Sequence, residues 1–139
     1  GPVLASHSNC RALVPDPRQF DDAQIKAIIA RGGVIGGALD AWMLYTGWIR
    51  GETQPEVVGL DALVDHMVHI CDLAGKTEHN GVGSDLDGGY GNEQTPHDLN
   101  TIADLQKIGP MLADRGFSDE DVQRVMHGNW LGFFRKNLP

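Results

Sequence analysis

The sequence predicts an α/β fold, and more specifically a C-terminal part of a (β/α)8 barrel of the TIM type with about three parallel strands. Short apolar runs alternate with amphipathic stretches along the 139 residues, which is the pattern of strand-helix-strand units. Two of these runs end in polar residues, and parallel strands present such residues at one edge of a sheet. Three parallel strands alone would expose two long edges, so a piece of a closed barrel fits better than a finished doubly wound domain.

The first third of the chain predicts two strands and a helix. Val3–Ala5 is a short apolar run, typical of a strand buried on both faces. A long polar loop covers residues 6–20. Asp21 then caps a helix, and Gln24 completes a capping box. The helix ends at Arg31-Gly32-Gly33, and a second strand follows from Val34 towards Leu39.

The middle of the chain contains an ambiguous segment, a long helix and a third strand. Residues 41–51 are rich in aromatic side chains and fit either a short helix or a loop that covers a site. Residues 57–74 repeat apolar side chains at three- and four-residue spacing, which predicts a helix that Gly75 closes. Gly81–Ser84 is the third apolar run and predicts the third strand.

The last third of the chain predicts helices. Thr95-Pro96 suits the start of one helix, with proline in the first turn. Its inward-facing residues would be Leu99, Ile102 and Leu105. Gly109-Pro110 predicts a break followed by a further short helix that ends at Arg115-Gly116. Ser118 suits an N-cap for the last helical region, and the apolar segment 129–138 is expected to dock on the rest.

Composition excludes several classes of protein. The net charge of −8 and the lack of any Lys/Arg run argue against a nucleic-acid partner. No stretch approaches the roughly 18 apolar residues of a membrane span. Cys10 and Cys71 are far apart and form no C-x-x-C pair, so two buried thiols in a reduced compartment are favoured over a disulfide or a zinc ribbon. No signal peptide is visible, although the sequence need not begin at the natural start. The compartment of the parent is therefore left open, with the cytoplasm expected for a bacterial parent. The start at Gly1-Pro2 suggests a cut through a domain.

The stretch Gly81–Gly89 is the first candidate for a functional site. An apolar run ends in Asp85 and Asp87, and glycines follow at once. Asp85 could be a metal ligand or a general base near metal-bound water. A pair of turn-capping aspartates is an equally good interpretation. A calcium loop is disfavoured because the spacing of the acidic residues is not that of an EF-hand.

A second candidate lies at the end of the first strand. His7 would be fixed by the strand and open on the loop side, which suits a zinc ligand, although a buried histidine bonded to backbone is the commoner case. Arg18, in the loop that follows, could grip a substrate carboxylate with two hydrogen bonds, or simply be solvated. We expect His7 and Asp85 to face the same site.

The remaining histidines and one glycine run give weaker signals. His66 and His69 lie three residues apart on the long helix, where a surface location is favoured over a zinc pair. We expect the same of the histidines at turns and helix ends, which are His79, His97 and His127. The run Gly33–Gly37 only loosely resembles a dinucleotide-binding loop, because no clear helix start follows it.

Six segments resemble, in order and spacing, the renal (membrane) dipeptidase family. They are Ser6–Asn9, Pro17–Ile28, Arg31–Gly36, His69–Gly75, Gly83–Gly88 and Arg115–Trp130. The resemblance covers this whole chain but only the C-terminal part of the family's domain. It implies a (β/α)8 barrel that hydrolyses dipeptides with two zinc ions at the strand ends.

The resemblance also implies roles for individual residues. His7 resembles a histidine ligand of one zinc ion. Arg18 resembles the arginine that binds the C-terminal carboxylate of the dipeptide substrate. Asp85 resembles the catalytic acid/base that takes the proton of the attacking water and serves the leaving amine. Asp87 is assigned as a structural partner.

One departure from the family pattern limits these expectations. The family's His-x-Asp pair, its bridging glutamate and its other histidine ligand all precede this segment, and one ligand cannot hold two zinc ions. We therefore expect a metallo-dipeptidase in the parent enzyme and an inactive fragment in isolation, with the missing N-terminal part of the barrel as its partner. The alternative is a non-catalytic α/β fragment that pairs through its sheet edges with a complementary chain or as a homo-oligomer.

Overall fold

The sheet consists of parallel strands joined by helical crossovers. In the computed structural model, which describes residues 1–138, β1 (Leu4–Ala5), β2 (Val34–Ala38) and β3 (Asn80–Ser84) pair in the order β1-β2-β3. The crossovers contain α1 (Asp22–Ala30) and α2 (Asp61–Ala74). Parallel neighbours require such long connections, so the alternation predicted from the sequence is confirmed.

Shorter helical segments make up much of the remaining chain. The 3-10 helices span Ala41–Met43, Pro55–Val57, Asn92–Gln94 and Ile102–Lys107. The C-terminal region contains α3 (Ile108–Asp114), α4 (Asp119–Gln123), a π-helical turn at Arg124–Gly128 and α5 (Asn129–Asn137). The predicted caps form: Asp21 and Gln24 make a reciprocal capping box, and the Ser118 side chain accepts a hydrogen bond from the Asp121 amide.

One face of the sheet packs against the helices and forms the core. The larger apolar cluster includes Leu63 and Met67 of α2 together with Leu112 of α3. The Leu63 side chain lies directly over Gly37 of β2, where an added Cβ would overlap it. Full burial of one such side chain contributes about 1.5–3 kcal/mol. The packing of α2 therefore anchors the strands at whose ends the candidate residues lie.

The other face of the sheet is lined by glycines and partly covered by α5. The Trp130 indole Nε1 donates to the Val82 carbonyl oxygen at 3.1 Å, and its ring occupies the space that a side chain on Gly81 would need. Beside it lies a groove of roughly 290 Å³. The groove is lined by Leu4, Ser6, Val82, Gly83, Trp130 and Phe134. Leu4 and Phe134 are exposed there, so this face is not closed within the part of the chain described.

The prediction that Val3–Ala5 is buried on both faces is wrong. β1 comprises only Leu4–Ala5, and the Leu4 side chain is 41% exposed. The reason is that β1 is an edge strand of the sheet and Leu4 faces the open groove. β2 occupies the predicted segment but ends at Ala38.

The long helix starts later than its apolar pattern suggested. α2 begins at Asp61, because Pro55–Val57 forms a separate 3-10 turn and the Leu60 amide donates to Asp98 Oδ1 at 2.9 Å. The helix ends as predicted, with Gly75 in the left-handed conformation at φ 67°. The aromatic segment combines both alternatives, since a 3-10 turn at Ala41–Met43 leads into a loop.

The predicted helix start at Thr95-Pro96 is wrong. Thr101 and Asp104 form a capping box instead, so helical structure begins at Ile102. Ile102 is therefore the first residue of a 3-10 helix, and its side chain is 75% exposed instead of facing inward. Leu99 is buried, as predicted. Pro110 does not break a helix but lies in the first turn of α3. Amides in a first turn have no partner within the helix, so the missing N–H of proline costs no hydrogen bond there.

Candidate active site at the strand ends

The structure brings the ends of β1 and β3 to the same edge of the sheet. A Cβ added to Gly83 would overlap the Ser6 carbonyl oxygen and the backbone of Gly36, so the three strands are in close contact here. His7 follows Ser6 directly, and Asp85 lies two residues after Gly83. Adjacent strands are about 4.8 Å apart, which puts these two chain segments within about 10 Å of each other.

His7 and Arg18 are directly connected. The Arg18 Nη2 donates to the His7 carbonyl oxygen at 3.1 Å, and its Nη1 donates to Ser8 Oγ at 3.3 Å. The His7 Nδ1 lies 2.8 Å from Ser6 Oγ. Among the described residues nothing hydrogen-bonds to His7 Nε2, so this nitrogen is available as a ligand atom.

The loop that carries Arg18 is held by its own side chains. The Arg18 amide donates to Asp16 Oδ1 at 2.8 Å. The Arg11 guanidinium donates to three loop carbonyls, those of Asp16, Pro17 and Gln19, at 3.2, 3.0 and 2.7 Å. Arg11 therefore holds the loop together by hydrogen bonds, a role that the sequence pattern did not indicate.

Two buried amides attach this loop to β2 and to the 3-10 turn that follows it. The Asn9 Oδ1 accepts from the Ala38 amide at 2.9 Å, and its Nδ2 donates to the Ala38 carbonyl at 3.0 Å. The Gln19 Nε2 donates to the Met43 carbonyl at 2.7 Å. Each such bond contributes about 0.5–1.5 kcal/mol, and a buried partner left unpaired costs about 1–3 kcal/mol. His7 and Arg18 are thus positioned by a network that includes the end of β2.

Asp85 lies in a strained turn. Ser84 and Asp85 have φ angles of 37° and 63°, in the left-handed region that side chains other than glycine rarely adopt. The Asp85 amide donates to the Gly83 carbonyl at 2.6 Å, and the Gly88 amide donates to the Asp85 carbonyl at 2.9 Å. Strained residues of this kind cost about 1–3 kcal/mol each and concentrate at functional sites.

Asp40 is a further candidate for the site that the sequence pattern did not single out. It follows β2, the strand between those that lead to His7 and Asp85, and it is only 5% exposed. The Gln94 Nε2 donates to Asp40 Oδ1 at 2.7 Å. Burial raises the pKa of Asp40, and the Gln94 hydrogen bond opposes that rise. The sequence does contain the feature that could have identified Asp40, because it is a polar residue directly after an apolar strand, as His7 and Asp85 are.

Tyr90 lies close to the acidic side chains of the site. Burial, and then the charges of Asp40, Asp85 and Asp87, raise the pKa of its phenol, which stays protonated at neutral pH. The Tyr90 Oη is 3.5 Å from the Ser84 carbonyl oxygen. The edge of the sheet therefore has an acidic side around Tyr90 and a cationic side at Arg18.

The described residues offer only part of a metal site. Within residues 1–138, no group of three or more His, Cys, Asp and Glu side chains is arranged to hold a metal ion. The His7 imidazole fits as one donor, and the other ligands of any metal centre would have to come from outside this segment.

The prediction that His66 lies on the surface is wrong. It is 2% exposed, and its Nδ1 accepts a hydrogen bond from the Cys10 amide at 3.0 Å. Burial lowers the pKa of His66 to about 4, so the ring is neutral. His69 Nε2 instead lies 2.8 Å from Asp22 Oδ1, and His79 is buried against the Gly33 carbonyl. Within residues 1–138 these histidines belong to no group of three or more His, Cys, Asp and Glu side chains that could hold a metal ion.

The cysteines and the glycine run have structural positions. Cys10 and Cys71 are free thiols, as predicted, although Cys71 is only partly buried. Burial raises the pKa of Cys10 to about 12. The run Gly33–Gly37 lies largely inside β2 and not at a strand-to-helix turn, so it is not a dinucleotide-binding loop. In the region covered by the structure, no helix is both long enough and apolar enough to cross a membrane.

Comparison with known proteins gives a consistent result. The family model described as membrane dipeptidase (peptidase family M19) matches residues 1–137. Dipeptidase tcpJ of Claviceps purpurea is 30% identical over 138 residues, which are 97% of this chain and 29% of that protein. Human dipeptidase 3 is 26% identical over 135 residues, which are 97% of this chain and 25% of that protein.

Solved structures agree with the sequence relatives. A metallopeptidase from Rhodobacter sphaeroides, crystallised with a phosphinate mimic of L-Ala-D-Ala, has a TM-score of 0.81 and 25% identity, covering 97% of this chain and 36% of that one. Dipeptidase AC, a metallopeptidase of family M19, has a TM-score of 0.80 and 25% identity, covering 96% and 37%. The three parallel strands with helical crossovers, together with these matches, confirm the predicted α/β fold class. The chain spans 29–45% of the length of the first curated relatives that it matches.

Proposed function

This chain belongs to the membrane dipeptidase family, peptidase family M19, and from that premise we propose that it supplies one side of the active site of a zinc-dependent dipeptidase. The observation that supports the proposal is that the segments following β1 and β3 meet at one edge of the sheet, with Ser6 against Gly83, and that Arg18 bonds to the His7 carbonyl. His7 and Asp85 follow the carboxyl ends of parallel strands, where the active sites of such barrels are found, and Arg18 lies in the loop after β1.

His7 is proposed to ligate one of two zinc ions. A strand-end imidazole with a free Nε2 suits this metal, and the metallopeptidase neighbours support a metal-dependent reaction. When bound, the metal ions would polarise the peptide carbonyl and acidify a water molecule. The remaining ligands would come from the part of the enzyme outside this chain.

Arg18 is proposed to bind the C-terminal carboxylate of the dipeptide. Its guanidinium has five N–H donors, and two nitrogens already bond to the His7 carbonyl and Ser8 Oγ. Those bonds fix the plane of the group and leave donors that can face a carboxylate, which guanidinium groups bind with two parallel hydrogen bonds. The hydrogen bonds of Arg11 and Asp16 hold the loop that carries Arg18 in this arrangement before a substrate binds.

Asp85 is proposed to be the general acid/base. It would accept a proton from the water whose oxygen attacks the peptide carbon, and it would return that proton to the amine as the C–N bond breaks. Asp85 lies in a turn with left-handed φ angles at Ser84 and Asp85, and strained turns of this kind concentrate at functional sites. Asp87, beside Tyr90, is proposed to support this acidic side structurally.

The chain is proposed to be the C-terminal segment of the barrel, with the other strands provided by a preceding part of the enzyme. The exposed groove beside Trp130 supports this, because it is the sheet face that a closed barrel would cover. The same groove favours one other candidate, a fragment that pairs with a second copy of itself. Sedimentation of the isolated chain separates the two, since self-pairing requires a dimer.

The decisive experiment measures zinc and dipeptide cleavage together in the full-length parent enzyme. We expect about two zinc ions per enzyme and cleavage of dipeptides such as L-Ala-D-Ala, and we expect His7→Ala to have a lower zinc content and no activity. His97→Ala removes an exposed histidine and is the matched control. Undiminished zinc content in His7→Ala, or cleavage that survives complete removal of metal, would refute the proposal.

A further inference from the structure

We propose that Asp40 is a positioning residue that holds the Asp85 turn in place through its hydrogen bond to Gln94. The inference rests on the proposed function of Asp85. It adds to that function a role for the buried Asp40 carboxylate, which need not contact the substrate itself. The bond joins two side chains that are 54 residues apart in sequence and both buried.

Asp85 lies in a loop whose two ends are tied to consecutive residues of the β2 end. At the start of the loop, the Leu39 amide donates to the Ser84 carbonyl at 2.9 Å. At its far end, Gln94 Nε2 donates to Asp40 Oδ1 at 2.7 Å. The segment between Ser84 and Gln94 is therefore clamped at both ends to one strand terminus.

The clamp is needed because the turn is unfavourable on its own. Two successive residues, Ser84 and Asp85, adopt left-handed φ angles. The bonds of the Asp85 and Gly88 amides close the turn, but neither of them connects it to β2. Such strain persists only when the surroundings enforce it, and the contacts from β2 provide that enforcement.

Because Asp40 and Gln94 are both buried, water cannot replace the hydrogen bond between them. Gln94 lies in the 3-10 turn Asn92–Gln94, and its amide would have no water to bond with if Asp40 lost its carboxyl group. The loop would then move to solvate the amide, and the Asp85 carboxylate would move with it. A displacement of about 1 Å in a catalytic group can lower the rate by about a hundredfold.

The test is a double-mutant cycle in the full-length, zinc-loaded enzyme. We expect Asp40→Ala and Gln94→Ala each to lower kcat by about ten- to a hundredfold, with KM changed less than about threefold. The double variant should lose no more than either single one, because both remove the same bond. Asp40→Asn keeps an acceptor oxygen for Gln94 and should recover most of kcat.

A matched control and a second readout separate positioning from general destabilisation. Thr95→Val removes the hydrogen bonds that the Thr95 hydroxyl, next to Gln94, donates to the Asn92 and Leu99 carbonyls, without touching β2, and it should leave kcat within about twofold. Hydrogen exchange should become faster at the Gly88 amide in Asp40→Ala and Gln94→Ala but not in Asp40→Asn. Exchange needs no activity, so it reports on the clamp in every folded variant.

The outcomes distinguish this inference from the proposed function. If the wild type cleaves dipeptides and folded Asp40→Ala retains full kcat, or if the two losses add, the positioning role is refuted. Unchanged exchange at Gly88 in both alanine variants also refutes it. If the metal-loaded wild type does not cleave dipeptides while exchange still responds as expected, the proposed function fails and the clamp stands.

Discussion

Lowering the pH should weaken the fold through a single buried histidine, His66. Its ring is 2% exposed, and its Nδ1 accepts the Cys10 amide at 3.0 Å. Cys10 is three residues after His7, so this bond ties α2 to the loop that leads from β1. Protonation of Nδ1 would turn the acceptor into a donor and break that tie.

The sign and size follow from the pKa of the ring. Burial lowers the pKa from 6.5 to about 4, with the charge of Asp65 opposing the shift. Above pH 6.5 both folded and unfolded chains hold a neutral ring, and the contribution to stability is fully present. Between pH 6.5 and 4 only the unfolded chain takes up the proton, so the free energy of unfolding falls, by roughly 3 kcal/mol in total at 1.36 kcal/mol per pH unit.

Urea unfolding at a series of pH values between 8 and 4 measures this loss. His66→Asn keeps an acceptor oxygen but does not titrate, so subtracting its unfolding free energy from that of the wild type removes the contribution of the carboxylates. The difference should change by roughly 3 kcal/mol across the range. His97→Asn, at an exposed position, is the control and should behave like the wild type. A difference that does not vary with pH would refute the reasoning.

Three further substitutions test other parts of the structure. Arg18→Lys should raise KM for a dipeptide about ten- to a hundredfold with little change in kcat, because lysine cannot form the two-point contact. A fall in kcat as large as the rise in KM would contradict this. Asp85→Asn should lower kcat by about 10²–10⁴-fold while zinc content, measured by mass spectrometry, is retained. Gly83→Ala should destabilise the fold by about 1–3 kcal/mol in urea, since its Cβ would overlap a neighbouring strand, whereas Gly132→Ala has open space and should not.

Local sequence patterns predicted the features whose physical causes are local. The Asp21 capping box and the Ser118 cap involve hydrogen bonds between residues three positions apart, so the residue types alone indicate them. The left-handed end of α2 at Gly75 is equally local. The positions of His7 and Asp85 could also be inferred, because parallel strands bring the polar residues at their ends to one edge.

The helix assignments that failed depended on competition between local signals. Thr95-Pro96 has the composition of a helix start, but Thr101 with Asp104 satisfies the first free amides better. Pro110 looks like a helix breaker from sequence, yet in the first turn of α3 its missing N–H has no consequence. Sequence patterns list such alternatives without ranking them, because the packing against the core chooses between them.

The sequence by itself determined the parallel α/β architecture, the caps and the strand ends that carry His7 and Asp85. Only the tertiary structure showed that Asp40 binds Gln94 and that His66 accepts a hydrogen bond from Cys10, over separations of 54 and 56 residues. Each of these side chains has an ordinary polar identity in the sequence. Its burial, its partner and therefore its pKa are set by which distant segment the fold brings beside it.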